Sequence, residues 1–247
     1  MILSFGALYL LNVKDVVMRM HVWNAICDGL YKTFIYQDRW EWFLRGLGYT
    51  ILISFTAVML GMLIGTLAAL GKLSKIKPIK WISSMYIDII RGTPTMVQLL
   101  IIYFIIFAKV NLSPWIVGAL GFAINSGAYV AEIVRGGILS IDKGQTEAGR
   151  SLGLTSSQTM LYIIMPQTIK NILPALANEF IVLIKETAVI GMISNIDLLG
   201  AAKKVQGRTY DYLYPLLGAA IIYYAVIKIL SILLAKLEAR LRKADVR

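Results

Sequence analysis

The chain lacks the residues that most metal sites, disulfides and catalytic centres require. It has one cysteine, Cys27, and one histidine, His21, which excludes an intrachain disulfide, a Cys-cluster metal site and a His-rich site. No G-x-x-x-x-G-K-[ST] run is present, so the chain has no P-loop for ATP. No plausible catalytic triad can be assembled either. We therefore expect no catalytic residue, no metal site and no cofactor in this chain.

Charge is also scarce. Charged residues make up 16% of the chain, whereas about 25% is usual for soluble proteins. Hydrophobic residues make up 58% and form long charge-free runs. The net charge of +11 comes mostly from basic residues that flank these runs, which fits membrane orientation better than nucleic-acid binding. We expect an all-α integral membrane protein that does not bind nucleic acid.

Five segments have the length and composition of membrane-spanning helices, which need about 20 apolar residues each. These spans cover about 46–71, 81–108, 112–134, 167–193 and 212–235 within a transmembrane domain at 46–236. Four lysines at 72–80 and a basic tail at 237–247 predict cytoplasmic segments, because short cytoplasmic loops are rich in lysine and arginine. We expect an external N-terminus and a cytoplasmic C-terminus.

Two segments outside the spans leave alternatives open. The N-terminal extension, 1–45, contains Trp23, Trp40 and Trp42 and is either a segment lying at the membrane surface or a poorly ordered extension. The external segment 194–211 carries basic residues against the orientation trend. It is either a docking surface or a solvated short helix and loop.

The second span is interrupted near Asp88, Arg91 and Pro94. Proline removes a backbone donor and disfavours helix at the residue before it, so we expect a break at 91–94 between two helices. The alternative is a cytoplasmic helix that ends at Arg91, with a true span at 92–108 only.

Polar side chains mark the third and fourth spans. Asn125, Ser126, Tyr129 and Glu132 fall on one helical stripe of the third span. The fourth span contains Asn178, Glu179, Lys185 and Glu186. Ionisable residues at membrane depth are costly unless they are paired or face water, so these residues either form a buried network that ties helices together or line a solute path.

The stretch 142–166 is polar but carries helix signals. Gly153 follows a short helical pattern as a C-cap glycine would, and Thr155 with Gln158 fits a capping box that starts a second helix at Ser156. Pro166 stands where a further helix would begin. The stretch predicts a helix, a tight turn and a second helix outside the membrane.

This stretch resembles the EAA motif of the membrane subunits of bacterial ABC importers. The matching residues are Glu147-Ala148-Gly149, then Gly153, then Ile163-x-Met165-Pro166, with the spacing of the family pattern E-A-A-x-x-x-G followed by I-x-L-P. Gly149 stands in place of the second alanine and Met165 in place of leucine. The runs RGTP at 91–94 and AEIVRGG at 131–137 resemble the branch of that family that carries polar amino acids.

The resemblance implies a coupling hairpin, between spans three and four, that docks into a cytoplasmic ATPase subunit. The residues expected to contact that subunit are Glu147, Ala148, Gly153, Ser156, Ser157, Gln158 and Leu161. It also implies a second copy or a paralogue of this chain, two ATPase subunits that bind ATP and magnesium, and an extracytoplasmic solute-binding protein. The expected location is the bacterial cytoplasmic membrane.

For the solute we expect a polar amino acid, whose ammonium and carboxylate groups need partners of both signs in a dry site. The candidate substrate-binding residues are Asn125, Ser126, Tyr129, Glu132, Lys185, Glu186 and Thr187. Three alternatives stay open: an ion-gradient-driven transporter or channel protomer, a membrane-anchored enzyme or assembly factor, and an ordinary amphipathic hairpin in a loop.

Overall fold

The computed structural model describes residues 18, 20–194 and 196–243 of the chain. Regular structure in this described part is helical throughout. In chain order the α-helices are α1 (20–30), α2 (Trp40–Leu73), α3 (Lys77–Arg91), α4 (Thr95–Ile101), α5 (Pro114–Leu139), α6 (Lys143–Ser151), α7 (Ser156–Thr159), α8 (Met165–Glu186), α9 (Leu198–Thr209) and α10 (Leu213–Lys243). Short π-helical turns extend α1, α4 and α7, and a 3₁₀ turn, Thr187–Met192, follows α8.

Within the described residues, three helices are long and apolar enough to cross a membrane by themselves, namely α2, α5 and α10. The pair α3 and α4 reaches that standard only when taken together, and its two members are bent by 106°. The predicted fourth span falls on α8, which is too polar to qualify by composition because it carries Lys170, Glu179, Lys185 and Glu186. The all-helical membrane fold is therefore confirmed, with three apolar spans that composition alone identifies.

The core of the fold is the pair α2 and α5. Gly61 and Gly65 of α2 lie against α5, where an added Cβ would come within 3.1 Å of the Ser126 Oγ and 2.6 Å of the Gly127 carbonyl oxygen, respectively. Small residues four apart allow two helix backbones to approach closely. Around this contact, buried apolar side chains such as Ile53 and Phe122 form one cluster of the core.

The predicted break at 91–94 between two helices is confirmed. Helix α3 ends at Arg91, and Pro94 caps α4 with an extended backbone. The Gln98 amide closes the break by donating to the Ile90 carbonyl oxygen at 2.7 Å and to the Thr93 hydroxyl at 2.6 Å. With its π-helical turn, α4 is only about 18 Å long at 1.5 Å per residue, which is less than the hydrocarbon thickness of about 30 Å.

Part of the N-terminal segment packs on the rest of the chain. Phe34 lies 4.8 Å from Phe43 of α2 between ring centroids, and it contacts the apolar cluster that includes Ala219 of α10. Residues 20–38 are helical, and the segment packs on α2 and α10 from Gly29 onward, whereas residues 20–25 are exposed. Residues 1–17 and 19 lie outside the described residues.

The expectation of a solvated segment at 194–211 is wrong for α9. Leu198, Ala202 and Val205 are fully buried between α2 and α10, because they recur on one face of the helix. Asp197 caps α9 by accepting hydrogen bonds from the Gly200 and Leu199 amides at 3.0 and 3.1 Å. The basic residues Lys204 and Arg208 are exposed, and their charged groups lie over the Trp42 ring.

Candidate functional site

Helices α6 and α7 form a hairpin between α5 and α8. Asp142 caps α6 by accepting from the Gly144 amide at 2.6 Å. The helix ends at Ser151, and Gly153, two residues later, has a φ of +81° in the left-handed region that favours glycine. The Leu154 amide then donates to the Gly149 carbonyl oxygen at 3.1 Å and satisfies the helix end. The glycine stop predicted from the sequence is confirmed.

The second half of the hairpin starts with the predicted capping box. The Thr155 hydroxyl accepts from the Gln158 amide at 3.3 Å, and the Gln158 side-chain oxygen accepts from the Thr155 amide at 2.8 Å. Helix α7 begins at Ser156, as expected, and runs through a π-helical turn into α8. Pro166 lies in the first turn of α8, directly after this π-helical turn.

Gly149 joins the two arms of the hairpin. It is buried, and a Cβ at this position would lie 2.8 Å from both the Thr159 Cγ2 and the Ile163 Cδ1 atoms. Alanine, which the EAA pattern has here, would require those side chains to move. The loss of helix propensity, about 1 kcal/mol relative to alanine, is therefore offset by close packing of α6 on α7.

The outer surface of the hairpin is exposed and partly apolar. Leu152 is 80% exposed, Leu161 60% and Tyr162 67%, and nothing in the described part of the chain covers them. The predicted contact residues Glu147, Ala148, Gly153, Ser156, Ser157 and Gln158 are all exposed as well. The root of the hairpin is buried: Ile164 packs with Ile138 of α5 and Ile172 of α8. A force on the outer surface would therefore be transmitted to α5 and α8.

A cluster of ion pairs surrounds Glu132 at the end of α5. Its carboxylate oxygens lie 2.9 Å from Lys72 of α2, 2.7 Å from Arg135 and 4.0 Å from Arg91 of α3. Arg91 also lies over the Tyr129 ring, 5.5 Å from its centroid. These contacts join α2, α3 and α5 at one end of the fold. A solute that binds Glu132 would have to compete with the cations already there.

The other polar residues of α5 have partners on different helices. The Asn125 amide, which is 2% exposed, donates to the Gln98 side-chain oxygen at 2.8 Å and approaches the Thr95 hydroxyl at 3.4 Å. The Ser126 hydroxyl donates to the Glu179 carboxylate of α8 at 3.0 Å. The polar stripe predicted on the third span is therefore divided between α4, α8 and the ion-pair cluster.

Three candidate substrate-binding residues, Lys185, Glu186 and Thr187, lie at the end of α8. Within the described residues, no hydrogen bond or ion pair connects them with the polar stripe of α5. Lys185 is exposed, Glu186 is half-buried and Thr187 is buried. The Thr187 hydroxyl donates to the Ile184 carbonyl oxygen at 2.8 Å, so its proton is already used by the backbone. Lys185 makes no ion pair within the described part, so a buried Lys–Glu network on α8 is not found there.

Comparison with known proteins assigns this arrangement to a family. Residues 61–243 match the family described as "binding-protein-dependent transport system inner membrane component". The chain belongs to that family. It is therefore a multi-pass inner-membrane protein and the permease subunit of an ABC importer. Such a subunit is not an enzyme, because ATP hydrolysis takes place in separate subunits.

Similar proteins align with most of this permease. A putative glutamine transport system permease protein of Rickettsia bellii is 41% identical over 194 residues, which cover 78% of this chain and 89% of the relative. The arginine transport system permease protein of Bacillus subtilis is 37% identical, over 82% of this chain and 93% of the relative. A solved amino acid ABC transporter with histidines is 48% identical, with a TM-score of 0.76, and the match covers 81% of this chain and 94% of that one.

Several residues of the permease that complete these sites were not predicted from the sequence. Gln98 holds both the break before α4 and Asn125, and Lys72 pairs with Glu132. Gln98 is a polar residue within an apolar, charge-free run, and this contrast was a usable signal in the sequence that its side chain needs hydrogen-bond partners. Lys72 was interpreted only as part of a basic cytoplasmic loop, and nothing in the sequence connects it with a residue 60 positions away.

Proposed function

We propose that this permease forms half of a pathway that carries a polar amino acid across the membrane by alternating access, driven by ATPase subunits that bind the α6–α7 hairpin. The observation that carries the proposal is the hairpin itself. Its outer surface is exposed and partly apolar, its turn is fixed by Gly153 and the Thr155 capping box, and its root is packed between α5 and α8. Apolar side chains left uncovered outside the membrane fit a protein partner.

In this proposal Glu147 meets a basic residue of the ATPase subunit, and Leu152 and Leu161 fill an apolar cleft. Ala148, Gly153 and the start of α7 at Ser156 complete the contact, because each is exposed on the hairpin. Ser157 and Gln158 lie on the same short helix. When ATP binding moves the ATPase subunits, the hairpin moves with them and pulls on α5 and α8 together.

The topology in this proposal has five spans, with the α3–α4 pair as a bent second span and α8 as a polar fourth span. The N-terminus is external and the C-terminus cytoplasmic, which places the hairpin on the ATPase side of the membrane. The polarity of α8 supports a second membrane subunit. Asn178 and Lys185 share one face and are exposed in the single chain. A lysine facing lipid at this depth would be costly, whereas a partner subunit or a water-filled pathway would accommodate it.

The solute class rests on the relatives and on the polar residues of the pathway. Relatives are named for transport of glutamine, arginine and L-cystine, all of them polar amino acids. Asn125, Ser126 and Tyr129 of α5, with Lys185 and Glu186 of α8, offer hydrogen bonds and both signs of charge. An extracytoplasmic solute-binding protein delivers the solute in this proposal, as the description of the family implies.

Solute-stimulated ATP hydrolysis by the purified complex tests the coupling role. The variants are Glu147→Ala and Gly153→Ala, with Glu238→Ala and Gly136→Ala as matched controls. Gly136 and Gly153 both have open space around an added Cβ, so they differ in backbone conformation: only Gly153 has positive φ, where a Cβ costs about 1–2 kcal/mol. We expect the two hairpin variants to lose stimulation and the two controls to keep it. Full stimulation in both hairpin variants, in a complex that still assembles, would contradict the proposal.

A further inference from the structure

A cavity of about 460 Å³ lies where the N-terminal segment meets the end of α9. It is lined by Asp28, Tyr31, Lys32, Tyr36, Arg39 and Arg208, together with Thr209. None of these residues belongs to the coupling hairpin or to the proposed solute path. Three of the lining side chains are cations and one is a carboxylate, so the cavity carries an excess of positive charge.

Arg39 is the residue that points to a ligand. It is only 4% exposed, and its guanidinium is always charged in proteins. One Nη atom donates to the Lys32 carbonyl oxygen, and the guanidinium lies 4.9 Å from the centroid of the Tyr36 ring. Its buried Nε atom has no hydrogen-bond partner, and no carboxylate of the described residues pairs with it. A buried cation without a counter-charge is costly, so an anion in the cavity would stabilise it.

The other two cations leave room for that anion. Lys32 pairs with Asp28 at 2.6 Å, in an exposed contact between neighbouring turns. Arg208 is exposed at the edge of the cavity and is positioned by Trp42, whose ring centroid lies 4.8 Å from its guanidinium carbon. Neither Arg39 nor Arg208 makes an ion pair within the described part of the chain. Two arginines and one shared lysine suit an oxyanion, which arginine binds through paired N–H donors.

The residues around the cavity are typical of the membrane interface. Arg39 directly precedes α2, and the charge-free run of α2 begins only seven residues later, at Gly46, about 10 Å along the helix. Exposed aromatic side chains surround this level: Trp23 is 66% exposed, Trp40 44% and Tyr212 69%. Tryptophan and tyrosine concentrate where the hydrocarbon core meets the headgroups. Phosphate groups are the oxyanions that are abundant at this depth.

We propose that this cavity binds a phosphate group through Arg39, Arg208 and Lys32. The phosphate is carried either by a phospholipid headgroup or by free inorganic phosphate. Both sources present the same oxyanion to the arginines. A lipid at this position would link the N-terminal segment to α9 and stabilise the outer end of the permease, independently of which solute is transported.

Native mass spectrometry of the delipidated full-length complex in detergent tests the site. The probes are phosphatidylglycerol, diacylglycerol with the same acyl chains, and inorganic phosphate. The variants are Arg39→Gln and Arg208→Gln. Arg45→Gln is the matched control, since Arg45 is an exposed arginine near the same level, pairs with Glu41 at 3.0 Å and lies outside the cavity.

We expect saturable binding of phosphatidylglycerol, about tenfold weaker in each cavity variant and unchanged in Arg45→Gln, because each variant removes charge-assisted hydrogen bonds. Competition by inorganic phosphate at similar concentration would identify a free phosphate as the ligand, and its failure to compete would identify the lipid headgroup. Equal binding of phosphatidylglycerol and diacylglycerol, together with no binding of inorganic phosphate, would overturn the proposal, as would equal affinities in Arg208→Gln and Arg45→Gln. Arg208 is exposed, so its variant decides the outcome even if Arg39→Gln fails to fold.

Discussion

Two adjacent glycines of α5 provide a sharp test of how the permease is packed. An added Cβ at Gly136 would have open space, whereas at Gly137 it would overlap the Ile172 Cγ2 methyl of α8 and lie 3.3 Å from the Thr168 Cγ2 atom. Both glycines are inside the same helix, one position apart. Their alanine variants therefore share any gain in helix propensity and differ in the contact with α8.

The two alanine variants should differ measurably in their free energy of unfolding. Alanine in place of glycine inside a helix gains about 1 kcal/mol. At Gly137 this gain is opposed by overpacking, which typically costs about 1–3 kcal/mol. The Ile172 methyl cannot rotate away cheaply, because a β-branched side chain in a helix has one strongly preferred rotamer. We expect Gly136→Ala to be neutral or stabilising and Gly137→Ala to be less stable than Gly136→Ala by about 1–3 kcal/mol.

The assay is thermal unfolding of the purified complex, followed by intrinsic tryptophan fluorescence. The midpoint for Gly137→Ala should lie below that for Gly136→Ala, and Ile172→Leu, which removes the branch at Cβ, should recover part of the difference in the double variant. Equal midpoints for the two glycine variants would refute the close approach of α5 and α8. The same result would also argue against a close contact through which the hairpin could move these two helices.

Three further substitutions test separate parts of the permease. Thr155→Ala should destabilise the start of α7 by about 1 kcal/mol, seen as faster hydrogen exchange at the Gln158 amide, whereas Thr155→Ser should keep the cap. Glu132→Gln should lower stability by about 2 kcal/mol, between the values for exposed and buried ion pairs, with a smaller loss at high salt; an unchanged unfolding midpoint would contradict this. Glu186→Gln should weaken uptake of a cationic amino acid, and unchanged uptake at low solute concentration would remove Glu186 from the solute path.

The hairpin could be predicted from the sequence because every signal in it is local. A left-handed glycine and a Thr–Gln capping box act over three or four residues, so Gly153, Thr155 and Gln158 identify the turn without knowledge of the fold. Pro166 marks the next helix start in the same way. The structure adds why Gly149 is acceptable within α6, since that depends on contacts with Thr159 and Ile163 across the turn.

Partners far apart in the chain could not be predicted. Ser126 pairs with Glu179 across 53 positions and Lys72 with Glu132 across 60, and local patterns in a single sequence do not reveal which helices become neighbours. The burial of α9 was a different case. Leu198, Ala202 and Val205 recur with helical spacing, and that signal was present in the sequence beneath the more conspicuous basic residues.

The polarity of α8 follows from where the apolar helices are placed. Helix α2 turns Leu63 and Leu67 outward, at 62% and 64% exposure, and α10 is only 11% buried along its most apolar stretch. These surfaces suit lipid, which interacts with leucine as favourably as a protein core does. Helix α8 instead packs Ile181, Leu183 and Ile184 into the core and gives Glu179 a hydroxyl partner on α5. The carboxylate of Glu179 therefore faces protein and not lipid, and polar groups placed in this way are compatible with a helix at membrane depth.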